Sequence, residues 1–325
     1  MTLRGRLAPS PTGFLHLGNA WTFLLAWLAA RSAGGTVVLR MEDIDPQRAR
    51  PEYAQAIMED LRWLGLDWDE GPDAGGPYAP YTQQARMAAY HAALHRLSEQ
   101  GLTYPCFCTR KELRALAGAP QAGDTGAPYP GTCRTLTPAA RERFRAEGRA
   151  SSLRLICGTA PERFTDALYG EHSSTLQECG GDFALCRSDG VVAYQLAVSV
   201  DDGLMDITQV VRGNDILPST PRQIYLSRLL GFAAPAYGHV PLLLDAQGER
   251  LAKRHHSLTL RALRQAGLAP EHIVGLLAWL AGLQAALAPA TPRALCAAFR
   301  WNVLPRADIR LDTLLYGLLP ASLRP

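Results

Sequence analysis

The stretch Arg4-Gly-Arg-Leu-Ala-Pro-Ser-Pro-Thr-Gly-Phe-Leu-His-Leu-Gly-Asn19 confines the fold of this chain more tightly than any other. A short apolar strand runs into a Pro/Gly turn and directly on into a helix start. A helix N-terminus carries unpaired N–H groups and the positive end of the aligned peptide dipoles, and Gly13 and Gly18 let a ligand approach the backbone closely. The turn is therefore suited to an anion such as phosphate. His16 and Asn19, three apart, share one face of the first helical turn. The same residues would also suit a plain helix cap with a chance histidine. Gly34-Gly35 closes the helix, and Thr36-Val-Val-Leu-Arg-Met41 reads as a buried strand. Strand, turn, helix and strand make a βαβ unit, which implies a parallel sheet.

The chain has 325 residues, enough for two or three subdomains, and its 47% apolar and 19% charged residues are those of a soluble globular protein. The longest apolar stretch, Leu15 to Ala30, is interrupted by His16, Asn19 and Thr22 and falls short of a bilayer span. No leader or membrane anchor is expected, and a cytoplasmic location is. Seven cysteines, an odd number, suit reduced thiols better than a disulfide framework. Residues 261–325 hold seven arginines against three acids, a local +4 that leaves −1 for the rest of the chain. Such a basic tail fits either a nucleic-acid partner or a solvated face. Lys111 and Lys253 are the sole lysines in an otherwise arginine-based set of cations. Arginine and lysine differ in reach and geometry, so a lysine that persists is expected where a compact ammonium must meet phosphate.

Periodicity divides the chain further. Pro51 to Leu66 reads as an amphipathic helix with Tyr53, Ile57, Leu61 and Leu64 on its core face, and Thr82 to Gln100 as a third helix. Residues 105–191 change character, with cysteines and loops such as Gly118-Ala-Pro-Gln-Ala-Gly-Asp-Thr-Gly-Ala-Pro, and read as an inserted subdomain. The sheet is expected to resume with a strand over Val191-Val-Ala-Tyr-Gln-Leu-Ala197 and another near Asp206 to Val211, followed by a Pro-led helix from Pro221 to Leu230. From Ser257 the pattern is Leu/Ala-rich and helical through Leu287.

Three motifs occur in one order and spacing: Arg6-Leu-Ala-Pro-Ser-Pro-Thr-Gly-Phe-Leu-His-Leu-Gly18, Arg40-Met-Glu-Asp-Ile-Asp45 and Gly248-Glu-Arg-Leu-Ala-Lys-Arg254. Together they resemble the catalytic domain of class I glutamyl-tRNA synthetases, the first looking like the HIGH motif and the last like the KMSKS loop of that family. With the segment around Tyr194 and Val211-Arg-Gly-Asn-Asp-Ile-Leu217, the resemblance covers roughly residues 3 to 260. It implies an α/β fold, a class I synthetase Rossmann-type parallel sheet with an inserted zinc-containing subdomain and a short helical C-terminal region. The expected division is 1–104 and 192–256 for the two parts of the Rossmann catalytic domain, 105–191 for the insertion and 257–325 for the helical region. After the KMSKS-like loop about seventy residues remain, fewer than the anticodon-binding domain of full-length members needs. With Cys106-Phe-Cys108 and Tyr129-Pro-Gly-Thr-Cys133 in the insertion, the chain looks like the truncated branch of the family. That branch activates glutamate with ATP and transfers it to the queuosine base in the anticodon of tRNA(Asp). The expected partners are accordingly L-glutamate, ATP with Mg2+ and queuosine-containing tRNA(Asp), with no membrane partner and a monomeric chain. Charging of a tRNA 3′ end, and a non-catalytic zinc-containing RNA-binding protein, are the competing expectations.

Adenylate formation asks little covalent work of a protein, so positioning and charge stabilisation should dominate. The resemblance assigns ATP to His16, Gly18, Asn19 and Lys253, with His16 and Lys253 in the catalytic roles. Asn19 stands where the family motif ends in histidine, and Arg250 and Ala252 depart from the KMSKS pattern. Glutamate presents two carboxylates and an ammonium, which call for arginine forks and an acid. The resemblance supplies Arg6, Leu7, Ala8, Pro9, Ser10, Glu42, Tyr194 and Arg212, with Glu42 for the α-amino group. Read without it, Glu42-Asp43-x-Asp45 could be a metal-binding acidic cluster or a set of surface ion pairs.

Cys106, Cys108 and Cys133 are three thiols in a loop-rich segment, the usual majority of one structural zinc site, or else three buried free cysteines. By common ligand chemistry His172, Cys157 or Cys179 would complete the set; the family pattern instead points to Tyr129. No Ser-His-Asp or Cys-His nucleophile is discernible, and no covalent enzyme intermediate is expected. Which residues would read the flat modified base is not legible.

Overall fold

The computed structural model describes residues 2–109, 111–113, 129–251 and 258–311. β1 (Arg4–Leu7), α1 (Leu17–Arg31) and β2 (Thr36–Leu39) form the expected unit, with the two strands parallel and Arg4 opposite Thr36. α2 (Pro51–Trp63) and α3 (Met87–Glu99) follow, and then β3 (Thr103–Cys106), α4 (Pro138–Ala146), β4 (Ser152–Leu155), β5 (Glu162–Asp166), β6 (Gly170–Ser174) and β7 (Ala184–Cys186). The chain continues through α5 (Tyr194–Leu204), β8 (Gln209–Gly213), α6 (Thr220–Leu229), β9 (Ala236–Val240) and β10 (Leu243–Leu244). The last described elements are α7 (Leu260–Gln265), α8 (Pro270–Leu280), α9 (Pro292–Leu295) and β11 (Ile309–Arg310).

The main sheet has the order β2-β1-β8-β9-β5-β6, parallel throughout except for the edge strand β6, which pairs antiparallel with β5. α1 is buried from Leu17 through Trp21 to Ala30, as a helix apolar on nearly all sides must be. Gly5 permits the close approach, because a Cβ there would stand 3.0 Å from the Ala30 Cβ. The C-terminal elements cover the sheet: Trp301 lies so close to Gly238 on β9 that any side chain there would collide with its ring. No helix among the described residues is long and apolar enough to cross a membrane.

Three expectations need correction. Val191-Val-Ala-Tyr-Gln-Leu-Ala197 is not a strand; α5 begins at Tyr194, with Ala193 as an extended cap. α5 buries residues on nearly every side, from Gln195 to Asp202, so neither a period of two nor one of 3.6 stands out. Residues 105–191 do not form one separate unit: β3, β4 and β7 make a small antiparallel sheet, whereas β5 and β6 return to extend the main one. The third helix starts five residues late, at Met87, after the short 3-10 turn Gln84–Arg86. The Pro51 and Pro221 helices match their expected starts within a residue, and the helical C-terminal stretch holds α7 and α8 but ends at Leu280. Gly118 to Pro128 lies outside the described residues.

Asp60 on α2 is buried, and one of its carboxylate oxygens has no hydrogen-bond partner among the described residues. Burial pushes its carboxyl up to about 6, against the attraction of Arg264 and Arg261. The fold therefore favours the neutral form, and that stabilisation is complete below the ordinary value of 3.8 and lost as pH rises through about 6. Asp60→Asn is expected to stabilise the protein at pH 8 by on the order of 1 kcal/mol and to change little at pH 4. Denaturant midpoints at the two pH values check this, and equal shifts at both would contradict it.

Candidate active site

The C-terminal ends of β1, β2 and β8 open into a cleft of about 990 Å3 beside the N-terminus of α1. Arg6, Ala8, Pro9, Ser10, Glu42, Tyr194 and Arg212 line it together, and so do His16, Gly18 and Asn19. Leu7 does not. Alternation along β1 turns it to the opposite face from Arg6, where it is 1% exposed in the main hydrophobic core.

His16 is both the cap and a lining residue. Its Nδ1 accepts from the Asn19 N–H at 3.3 Å while the Asn19 Oδ1 accepts from the His16 N–H at 3.1 Å, a reciprocal capping box that orients the imidazole at the helix start. A Cβ at Gly18 would press on that ring at 3.1 Å, so the turn is shaped around it. Lys253 and Ala252 lie outside the described residues. Arg250, just ahead of them, pairs with Asp215 at 2.6 Å, and both line the cleft.

Charge is concentrated beneath the cleft. Arg40, fully buried, donates to Asp202 at 2.7 Å and to Glu42 at 3.2 Å and stands 3.6 Å from Asp201. Asp201 is further held by Arg86, Gln83 and Tyr90 at 2.7 to 3.0 Å. Arg6 lies 3.6 Å from Asp202 and donates to the Val211 carbonyl. Burial pushes the Glu42 carboxyl up, a shift that Arg40 and Arg6 only partly offset. Burial likewise pushes the Arg6 guanidinium down, against the attraction of Asp202. Arg212 differs from both. Its hydrogen bonds run to His239 Nε2 at 3.0 Å, Gln223 Oε1 at 2.6 Å and Thr220 Oγ1 at 2.9 Å, all neutral acceptors. Two guanidinium groups and a carboxylate facing one cleft, beside a helix N-terminus, can hold an acidic amino acid next to a phosphate ester.

In the inserted segment Cys106, Cys108 and Cys133 bring their sulfurs within 4.8 Å of one another, and Cys108 and Cys133 are 3.6 Å apart. The Tyr129 hydroxyl lies 3.3 Å from the Cys106 sulfur and 3.8 Å from that of Cys108, and accepts from the Cys133 N–H at 2.9 Å. A tetrahedral zinc with bonds of about 2.3 Å has sulfur–sulfur edges of about 3.8 Å, so these four donors fit the corners. His172, Cys157 and Cys179 are not in the cluster: His172 stacks on Phe164, and the Cys157 thiol donates to the Gly181 carbonyl.

Asp201, Asp202 and His239 escaped the sequence reading. Asp201-Asp202 was legible as two acids inside an apolar run, a signal of buried arginine partners. His239 carried no local signal, because its partners Thr220, Arg212 and Asp166 are 19, 27 and 73 residues away in the chain.

A family model, tRNA synthetases class I (E and Q), catalytic domain, matches residues 2–289. The chain is 62% identical over 291 residues to the glutamyl-Q tRNA(Asp) synthetase of Nitratidesulfovibrio vulgaris, covering 90% of each chain. It is 52% identical over 310 residues to the glutamyl-Q tRNA(Asp) synthetase of Symbiobacterium thermophilum, covering 95% of this chain and 96% of that one. Against glutamate–tRNA ligase 2 of Acidithiobacillus ferrooxidans the identity is 44%, over 96% of this chain and 65% of the relative. Among solved structures, a glutamate-tRNA synthetase from Elizabethkingia anophelis superposes with a TM-score of 0.82 at 28% identity, over 97% of this chain and 69% of that one.

Proposed function

Since the chain belongs to the class I tRNA synthetase family for glutamate and glutamine, we propose that it activates L-glutamate as the adenylate and passes it to the queuosine base in the anticodon of tRNA(Asp). The observation that carries the first half is Arg212, a buried guanidinium whose partners are all neutral, facing the same cleft as Arg6 and Glu42. The destination of the glutamate is supported by the two glutamyl-Q relatives, which match this chain along nearly their whole length.

In the first step an oxygen of the glutamate α-carboxylate attacks the α-phosphorus of ATP, a new C–O–P link forms, and pyrophosphate leaves with its Mg2+. Arg212 and Arg6 hold the two carboxylates, Glu42 accepts from the α-ammonium, and the start of α1 with His16 faces the phosphates. Lys253 has the motif position for the leaving phosphates; Lys253→Ala is expected to lower pyrophosphate exchange about 100-fold. In the second step a hydroxyl of the modified base attacks the adenylate carbonyl, AMP leaves, and no covalent enzyme intermediate is needed.

A zinc ion would be held by Cys106, Cys108, Cys133 and Tyr129 and would cross-link a loop-rich segment short of apolar core. One zinc per chain is expected by elemental analysis. Cys133→Ser should lose it and Tyr129→Phe should weaken retention against a chelator at least about tenfold. A Tyr129→Phe protein that holds zinc unchanged would remove the phenol from the ligand set.

The deciding experiment loads tRNA(Asp), with and without queuosine, using labelled glutamate and ATP, followed by nuclease digestion. Label on the queuosine nucleoside supports the proposal. Label on the terminal adenosine would assign the chain to ordinary charging, and absence of any glutamate-dependent pyrophosphate exchange would leave it non-catalytic.

A further inference from the structure

Arg212 owes its orientation to groups behind it. His239 on β9 is fully buried, and its Nδ1 faces the Asp166 Oδ2 on β5 at 2.7 Å. That oxygen also accepts from the His239 N–H at 3.0 Å, while the other Asp166 oxygen accepts from the N–H groups of Leu168 and Tyr169. An ionised Asp166 can only accept, so Nδ1 must carry the proton, and the Nε2 lone pair is turned to the Arg212 Nε–H. Burial pushes His239 down to about 4, which keeps the ring neutral. The opposite side of Arg212 is arranged in the same sense. Gln223 offers its carbonyl oxygen because its amide donates to Gln195 Oε1 at 2.9 Å, and the Gln195 amide donates to Ser219 Oγ at 3.0 Å.

The outcome is a cation 4% exposed, fixed by three hydrogen bonds, with no carboxylate in direct contact among the described residues. Asp166 lies behind the imidazole ring, which stands between it and Arg212. Had an acid touched Arg212 directly, the pair would be closed and a ligand would have to compete with it. We infer that Asp166 and His239 are positioning residues that hold Arg212 with its charge unmatched, so that the cleft prefers the side-chain carboxylate of glutamate to the amide of glutamine. The inference rests on the proposal that this cleft binds glutamate. A carboxylate restores the missing counter-charge to a buried guanidinium; an amide of the same shape leaves the site desolvated and uncompensated.

The test is ATP–pyrophosphate exchange by the 325-residue chain, titrating glutamate, glutamine and ATP in turn. His239→Phe keeps a ring and removes the acceptor. Asp166→Asn loses no heavy atom but has one acceptor oxygen for two sets of donors, so either the His239 ring and N–H or the Leu168 and Tyr169 N–H groups that anchor the side chain lose their partner, and the ring is no longer held in one tautomer and orientation. Both variants are expected to raise the glutamate KM at least about tenfold and to narrow the glutamate-over-glutamine preference by a similar factor, with the ATP KM unmoved. His239→Gln, whose carboxamide oxygen can take the place of Nε2, should restore the glutamate KM to within about threefold of the parent. Should His239→Phe fail to fold, as circular dichroism would reveal, Asp166→Asn decides. An unchanged glutamate KM and preference, or a fall in kcat with the KM of both substrates moving alike, would overturn the positioning role. A parent protein that exchanges with no amino acid would overturn the glutamate reading itself, and this inference with it.

Discussion

Replacing Arg212 with methionine is expected to lower kcat/KM for glutamate in pyrophosphate exchange by about a thousandfold or more, with most of the loss in KM. Arg212 carries a full charge in a place where water cannot replace it: it is 4% exposed, and the acceptors that fix it are the buried side chains of His239, Gln223 and Thr220. A ligand carboxylate loses its water on entering such a site, and only the guanidinium compensates for that loss. Methionine fills similar space but offers neither charge nor donor. The acceptors it leaves behind are buried and lose their donor, so the cost in global stability is expected to be about 1–3 kcal/mol, smaller than the kinetic effect. Exchange kinetics together with denaturant unfolding separate the two. A fall in kcat/KM smaller than about tenfold would mean that glutamate is recognised elsewhere, with Arg6 as the remaining buried guanidinium on the cleft wall.

Arg40→Met is expected to act in the opposite way, on the fold first. Arg40 joins the end of β2 to α5 by standing among Asp201, Asp202 and Glu42, and it is completely buried. Removing it leaves these carboxylates to share Arg6 and Arg86. Breaking a buried pair from one side costs about 3–5 kcal/mol, because an uncompensated charge stays inside. The penalty has a definite pH dependence. The carboxylates that lose their counter-charge rise in pKa, as Glu42 already does from burial, so each takes up a proton more readily in the folded variant than in the unfolded chain. Protonation relieves the strain, and the loss is expected to be greatest near pH 8 and to shrink toward pH 5. Adding Asp202→Asn to Arg40→Met should recover part of the stability at pH 8. A single variant that loses less than about 1 kcal/mol at pH 8 would show that water already compensates the cluster.

Much of the helix-start side of this cleft was legible because it is local. Gly13, His16, Gly18 and Asn19 lie within one turn of chain, and the sterics of glycine and the needs of a helix N-terminus act over that same distance. The capping box between His16 and Asn19 is the clearest case, since both of its hydrogen bonds span three residues. The Cys-x-Cys pair was legible for the same reason. The course of residues 194–204 was not: when a helix is buried all round, the pattern of apolar residues loses the period that would separate it from a strand, and only packing between α3 and α5 reveals it.

The sequence by itself determined the βαβ opening, the helix start at the cleft and the thiol set of the insertion, because each is specified by neighbours in the chain. Only the tertiary structure decided that Leu7 belongs to the core while Arg6 faces the cleft, that β5 and β6 rejoin the main sheet, and that Asp166, His239 and Arg212 stand in line across three strands. Electrostatic contacts of this kind depend on distance in space, and the pairing of β5, β9 and β8 brings together residues that are far apart along the chain.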